Sequence, residues 1–204
     1  MARSRRPDRT WYLIAGFVVV LALAALLVSR QPFAGPLDFA VRVPALVGYL
    51  AVFTASLSSA YLREMLRLFG RPFLAVHHYV AVTGLALLTV HPISVAVRMS
   101  SLDVFVPVVS SVRGFLQWGG RPAWYLLAIA SAAALWRRPV GDAWRPLHML
   151  TYIAFWLATA HAIMMGPNVQ GPIMRGLAVA MALVMVGVLA RKRMQETARR
   201  RRRG

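Results

Sequence analysis

The chain has 204 residues, of which 59% are hydrophobic and only 15% are charged. A soluble domain contains about 45–50% apolar and about 25% charged residues, so this composition predicts an integral membrane protein, made of one domain. Cysteine is absent. Disulfides, iron–sulfur clusters and thiolate metal sites are therefore excluded, and histidine is left as the natural metal ligand.

The formal net charge of +18 is compatible with nucleic-acid binding, because basic patches supply affinity for phosphate. The basic residues, however, lie at the ends of apolar runs and in the tail 191–204, RKRMQETARRRRRG. This distribution favours a role in membrane topology and attraction to anionic lipids, worth about 1 kcal/mol per basic residue near the surface. We expect anionic lipids, and no nucleic acid, among the partners.

Apolar runs separated by Pro, Gly and basic residues predict an all-α bundle of six transmembrane helices. The domain covers residues 11–190, between a basic N-terminus (1–10) and the basic tail. The predicted spans are Trp11–Val28, Val43–Tyr61, Phe73–Val97, Pro122–Trp136, Leu147–Met165 and Pro172–Ala190.

Two segments leave alternatives. The first span follows a basic start, as a signal peptide does, but it exceeds a typical signal core and ends without a clear small-x-small cleavage site, so we expect a retained helix. The connection 100–120 is neither a clean span nor a clean loop, and it lies either in the interface or over the outer face of the bundle.

The orientation follows from the basic residues of the connections. With six spans, 18 of the 24 Lys and Arg residues fall on the side of the two termini. Positively charged connections stay in the cytoplasm, so both termini are predicted to be cytoplasmic in a multi-pass protein of the cell membrane. The third and fifth spans then run in the same direction, from inside to outside.

All five histidines lie in those two spans. Ionisable side chains at membrane depth are expensive and mark functional sites by default. Because the spans are parallel, His77 and His148 fall near the cytoplasmic end and form what we call the inner pair. His91 and His161 fall near the opposite end and form the outer pair.

The spacing tests whether each span presents its histidines on one face. His77 and His91 are 14 residues apart, about 21 Å along an ideal helix and within about 40° in rotation. His148 and His161 are 13 residues apart, which an ideal helix separates by about 140°, so here the spacing supports a common face only weakly.

Paired imidazoles across an apolar gap suit heme iron with two axial histidines, and one or two hemes of type b between the third and fifth spans are expected. Filling both axial positions favours electron transfer, and two stacked hemes would form a path across the membrane. A zinc or copper site needs three or four converging ligands, and a proton relay usually recruits acids, which the spans lack. A single intramembrane histidine is nearly as often a helix-packing contact.

The motifs HHY with a histidine 14 residues on, and WRPLHMLTY with a histidine 13 residues on, resemble the ferric reductase-like transmembrane domain family. That family includes the membrane domains of NADPH oxidases and ferric-chelate reductases, and the heme subunit of the bacterial periplasmic methionine sulfoxide reductase system. The resemblance covers about residues 43–190. It implies that His77 and His148 bind an inner heme and that His91 and His161 bind an outer one, with His78 as a competitor of His77.

The resemblance also bears on the residues around the hemes and on the partners. The chain has no G-x-G-x-x-G fingerprint, so the donor is a separate nicotinamide or flavin reductase, a bound flavin such as FMN, or a membrane quinol. Trp124, Trp144 and Trp156 are candidates for packing on a porphyrin, although interfacial and core roles are commoner. The candidate partners of the heme propionates are Arg71, Arg138 and Arg145 on the cytoplasmic side and Arg98 or Arg113 on the outer side. Each of these residues is also explained as a basic residue that sets the membrane topology.

These patterns predict a b-type cytochrome, an oxidoreductase subunit that carries electrons outwards to a periplasmic partner reductase, ferric iron or oxygen. The alternatives are a membrane scaffold or small transporter whose histidines stabilise helix packing, and an interaction subunit that binds one heme for stability alone.

Overall fold

The computed structural model describes residues 15, 18, 32–69 and 72–201, and within these residues the fold is entirely helical. The predicted span Trp11–Val28 lies outside the described residues, apart from two isolated positions. Nine α-helices follow. They are α1 Pro36–Ala60, α2 Leu62–Phe69, α3 Pro72–Met99, α4 Val112–Gln117, α5 Gly120–Leu135, α6 Arg137–Val140, α7 Trp144–His148, α8 Leu150–Met165 and α9 Pro172–Arg201.

Three described helices, α1, α3 and α9, are long and apolar enough to cross a membrane. A fourth span results if the bent pair Arg137–His148 and Leu150–Met165, at 42° to each other, is counted as one. The predicted fourth span forms α5, which has 16 residues and is about 24 Å long, less than the roughly 30 Å of a hydrocarbon core. Three to four apolar helices of this kind indicate a membrane protein.

Among the described helices, α1 and α3 contact each other most extensively, and two glycines allow this contact. A Cβ at Gly48 would lie 2.7 Å from Cγ of Leu88, and one at Gly84 would lie 3.1 Å from Cβ of Ala51. In a bilayer, where hydrophobic burial gives no net gain between helices, small residues allow the backbones to approach and gain dispersion contacts. Their packing fixes α3, the helix that carries three of the histidines.

A second packed layer holds α8, which carries His161, against its neighbours. The ring of Tyr49 in α1 stacks on Phe155 in α8 at 4.5 Å between centroids, and its hydroxyl lies 2.8 Å from Oγ1 of Thr159. On the other side, Met185 of α9 is fully buried in the same cluster. Since α8 also packs along α5, it is held by three helices.

In contrast, α3 and α8 are not among the closely packed helix pairs of the described chain, although the two outer-pair histidines meet between them. Helix α3 packs mainly on α1, and α8 packs mainly on α5, and the predicted outer pair lies between these two pairs of helices.

Candidate functional site

The outer pair is brought together by the fold. The imidazole rings of His91 in α3 and His161 in α8 lie 6.5 Å apart between centroids, with their planes at 58°. A metal–nitrogen bond of about 2.0 Å, with about 1.1 Å from the nitrogen to the ring centre, would place two ligating rings about 6.2 Å apart. The observed separation between the ring centroids, 6.5 Å, is close to this value.

Both rings of the outer pair are oriented by backbone carbonyl groups. Nδ1 of His91 is 2.7 Å from the carbonyl oxygen of Val41, and Nδ1 of His161 is 2.7 Å from that of Gln117. A carbonyl oxygen only accepts hydrogen bonds, so each Nδ1 carries the proton and donates it. Nε2 is then left with its lone pair, which is the arrangement of a metal-binding histidine.

Gly120, at the start of α5, gives the ring of His161 its space. A Cβ at this position would lie 2.8 Å from Cδ2 and 3.0 Å from Nε2 of His161. Any larger residue would therefore push the ring out of place. No motif in the sequence marks Gly120 or Gln117. The adjacent glycines Gly119 and Gly120 are the feature from which a close contact at this point could be predicted.

The connection 100–120 folds onto the start of α5. The guanidinium of Arg121 donates to the carbonyl of Val106 at 2.6 Å, and the hydroxyl of Tyr125 donates to that of Phe105 at 3.0 Å. Helix α4, capped by Ser111, ends this connection and presents the Gln117 carbonyl to His161. The connection therefore contacts both α5 and the His161 ring of α8.

A buried polar network lies behind His91. Nε and Nη2 of Arg42 both donate to Oδ1 of Asn168, at 2.9 and 2.7 Å, while Nδ2 of Asn168 donates to the carbonyl of Arg42 at 3.3 Å. Arg42 also forms an ion pair with Asp38 at 3.2 Å. The Val41 carbonyl that accepts from His91 belongs to the peptide bond joining Val41 to Arg42, so the network positions the ring acceptor.

Both histidines of the inner pair line the same cavity, which has a volume of about 50 Å³ and lies between α1, α3, α5, α7, α8 and α9. Nδ1 of His148 donates to the carbonyl of Ala130 at 3.0 Å, as in the outer pair. His148 ends α7, and a break at Met149 separates it from α8. The ideal-helix angle between His148 and His161 therefore does not apply, because the two residues lie on different helices.

His77 differs from the other three histidines of the pairs. Its buried Nδ1 interacts with the carbonyl of Ala55, but the contact does not have the geometry of a regular hydrogen bond. Its neighbour His78 is exposed, lies 5.7 Å away between ring centroids, and is not among the residues that line the cavity. Of the two candidates for the inner ligand, only His77 faces the same space as His148.

The predicted propionate partners are mostly on the surface. Arg113, Arg138 and Arg145 are exposed, and Arg71 lies outside the described residues. Arg98 is 48% exposed and pairs with Asp38 at 3.6 Å. The cationic side chain that lines the inner cavity is instead Lys192 of α9, in the segment predicted to be a basic tail.

The three tryptophans proposed to pack on a porphyrin take different positions. Nε1 of Trp124 donates to Oγ1 of Thr89 at 3.0 Å, and Nε1 of Trp156 donates to the carbonyl of Ala182 at 3.2 Å, so both join helices. The ring of Trp144 lies 6.3 Å from that of His148. Among the three, Trp144 is the one beside a predicted ligand.

In the described part of the chain, no group of three or more His, Cys, Asp or Glu side chains is placed to hold a metal ion. The candidate site consists of the outer and inner pairs, with two histidines in each.

No family model, no curated protein and no solved structure matches the chain. The resemblance to ferric reductase-like membrane domains thus stays a prediction, and the functional argument depends on the geometry of the histidines.

Proposed function

We propose that this chain is a transmembrane b-type cytochrome of six membrane helices, in which His91 and His161 of the outer pair would hold a heme. The observation that carries the proposal is the outer pair itself. Two rings 6.5 Å apart, each donating from Nδ1 to a backbone carbonyl, keep two Nε2 lone pairs for a shared iron.

A heme held by His91 and His161 would supply one-electron chemistry at the outer pair. The residues of this chain do the rest. Val41 and Gln117 fix the tautomers of the two ligands, and Gly120 leaves room for the His161 ring.

The inner pair is the second ligand set of the proposal, with His77 preferred to His78 because it lines a cavity together with His148. That cavity, at about 50 Å³, is smaller than a pocket for even a drug-sized ligand, which occupies at least about 300 Å³. A heme here requires the surrounding helices to separate, whereas the outer rings already stand at the distance that iron needs.

Electrons enter, in this proposal, from a cytoplasmic reductase, a bound flavin or a quinol, and leave towards an acceptor on the opposite side. The acceptor is a partner reductase, ferric iron or oxygen. The termini lie on the cytoplasmic side, where most of the basic residues are found, and the basic end of α9 contacts anionic lipid headgroups.

A second function, a non-redox scaffold or small transporter, is favoured by one observation. His91, His148 and His161 each bond to a backbone carbonyl of another segment, which is what a packing role requires. Such a role uses Nδ1 alone. It predicts that the protein carries no chromophore and that replacing His161 by Gln or Asn has little effect.

Electron transfer across the membrane tests the two functions. The full chain, loaded with heme, is placed in liposomes that contain ascorbate and a soluble mediator, with ferricyanide outside. We expect ferricyanide reduction that His161→Ala and His91→Ala abolish and that His78→Ala leaves unchanged. Equal rates for liposomes with and without the protein would exclude the cytochrome.

A further inference from the structure

The connection that follows α3 runs back along the side of that helix. The chain turns at Ser100, whose φ of 48° is left-handed, and a single 3-10 turn, Asp103–Phe105, then packs on α3. Phe105 lines a groove together with Ile93 of α3, which lies about 9 Å before Met99, the last residue of the helix. Phe105 therefore lies beside the last turns of α3 and not beyond its end.

The length of α3 places these turns at the boundary of a bilayer. The helix has 28 residues and is about 42 Å long, whereas a hydrocarbon core is about 30 Å thick. A centred helix would extend about 6 Å beyond the core at each end. Since Ile93 lies about 9 Å from the end of α3, the groove reaches the level of the acyl chains.

The side chains that the connection directs outwards are apolar. Leu102, Val106, Val109 and Val112 are 59–79% exposed in the described part of the chain, whereas Val104 is buried. Exposed apolar side chains that form a contiguous patch mark a contact with protein or with a membrane. The connection therefore has an inner side that packs on the bundle and an outer side that needs an apolar cover.

This outer side continues the exposed apolar face of α3. The groove between them has a volume of about 350 Å³ and is lined by three residues of α3 and four of the connection, none of them charged. Val82, Val90, Ile93 and Val97 of α3 are exposed, and on an ideal helix they lie within about 80° of one another. One apolar surface thus extends from α3, a helix long and apolar enough to cross a membrane, onto the connection.

The backbone of the connection has its hydrogen bonds satisfied beside the groove. The N–H groups of Phe105 and Val106 each donate to the carbonyl three residues earlier, at 3.0 Å. Their own carbonyls accept from Tyr125 and Arg121 of α5, at 3.0 and 2.6 Å. The next residue, Pro107, has no N–H to satisfy. Non-helical backbone at membrane depth requires such partners, because lipid supplies none.

We propose that residues 102–112 form a membrane anchor that inserts into the leaflet nearest the outer pair, with a lipid acyl chain in the groove beside α3. Asp103 and Arg113, both exposed, lie near the two ends of the anchor, where their charges reach the headgroups. The anchor holds the start of α4, the helix whose Gln117 carbonyl orients His161. The inference needs a membrane but no heme.

The test uses the absence of cysteine from the chain, since one introduced cysteine is then the only thiol. Val109→Cys and Val112→Cys, each labelled with bimane in the full-length chain, are placed in lipid nanodiscs. Their fluorescence is measured with nitroxide groups on the phospholipid acyl chains and, separately, with aqueous iodide. We expect loss of fluorescence with the nitroxide lipid and protection from iodide, as for the control Val82→Cys on the exposed face of α3. Asp142→Cys, in an exposed polar connection, is the aqueous control.

Two results would overturn the anchor. Iodide quenching at positions 109 and 112 as strong as that of Asp142→Cys would place the connection in water. Protection from both quenchers would mean that protein, either a second copy or another part of this chain, covers the surface in place of lipid. The measurement is made without heme, so a failure of the proposed cytochrome function leaves its readout unchanged.

Discussion

The outer and inner histidine pairs differ in how completely the protein has prepared them. In the outer pair, both rings are held by short hydrogen bonds to backbone carbonyls and face each other at 6.5 Å. In the inner pair, His148 is held but His77 is not, and the two share a small cavity with Lys192. Preorganised ligands lower the cost of metal binding, so the outer pair should bind heme more tightly.

The largest effect should come from removing one ligand of the outer pair. Because iron binding there depends on two imidazoles, His161→Ala should abolish the outer heme, seen as loss of its share of the reduced visible spectrum and of the heme bound per chain. His148→Ala should leave the outer signal intact. If His148→Ala instead removes the outer signal as well, the two pairs are one cooperative unit and the comparison fails.

The next effect concerns the network that positions His91. Asn168→Ala removes Oδ1, the atom to which both Nε and Nη2 of the buried Arg42 guanidinium donate, and hydrogen bonds to charged groups are worth about 1.5–3 kcal/mol. We expect a loss of this size in the free energy of unfolding, measured by denaturant titration in detergent, together with a shift in the midpoint potential of the outer heme.

The exposed neighbour Gln170 supplies the control for Asn168. Gln170→Ala should leave both the stability and the potential unchanged. A loss of stability in Asn168→Ala with an unshifted potential would mean that the network supports the fold without positioning His91.

A smaller effect should follow Gly120→Ala. The new methyl group would press on the His161 ring, and overpacking of this kind costs about 1–3 kcal/mol. We expect weaker heme binding at the outer pair, measured by heme titration of the apoprotein. Gly176→Ala in α9 is the control, since a Cβ there meets nothing within 4 Å and should even favour the helix slightly. Equal heme affinity in both variants would contradict the role given to Gly120.

The smallest effect should come from Tyr49→Phe. It removes the hydrogen bond to Thr159 at 2.8 Å but keeps the ring stacked on Phe155, so about 1 kcal/mol of unfolding free energy should be lost. The heme spectrum should not change, because this contact lies in the packing between α1 and α8. A spectral change would place Tyr49 in the site itself.

Much of the helical framework is predictable from hydropathy. The span Phe73–Val97 corresponds to α3, Pro72–Met99, and the span Pro172–Ala190 begins where α9 begins. Hydropathy works here because an apolar run of this length must satisfy its own backbone hydrogen bonds as a helix. The same argument does not predict where a helix is interrupted, and the break at Met149 lies inside an apolar run without Gly or Pro at that position.

The histidines themselves are evident in the sequence, since polar side chains stand out in apolar spans. Their partners are not. The groups that orient the rings are the carbonyls of Val41, Ala130 and Gln117, and a backbone carbonyl leaves no mark on the identity of its residue. Lys192 was assigned to the basic tail, because only the continuation of α9 to Arg201 brings it to the inner cavity.

The measurement that tests the central claim most directly is the visible spectrum of the detergent-purified full chain, oxidised and then reduced with dithionite, with heme counted per chain. Bis-histidine ligation predicts sharp reduced bands and one to two hemes per chain. The double variant that combines His161→Ala with His148→Ala should contain no heme. Protein from heme-supplied cells that carries no heme would contradict the claim and assign the histidines to helix packing.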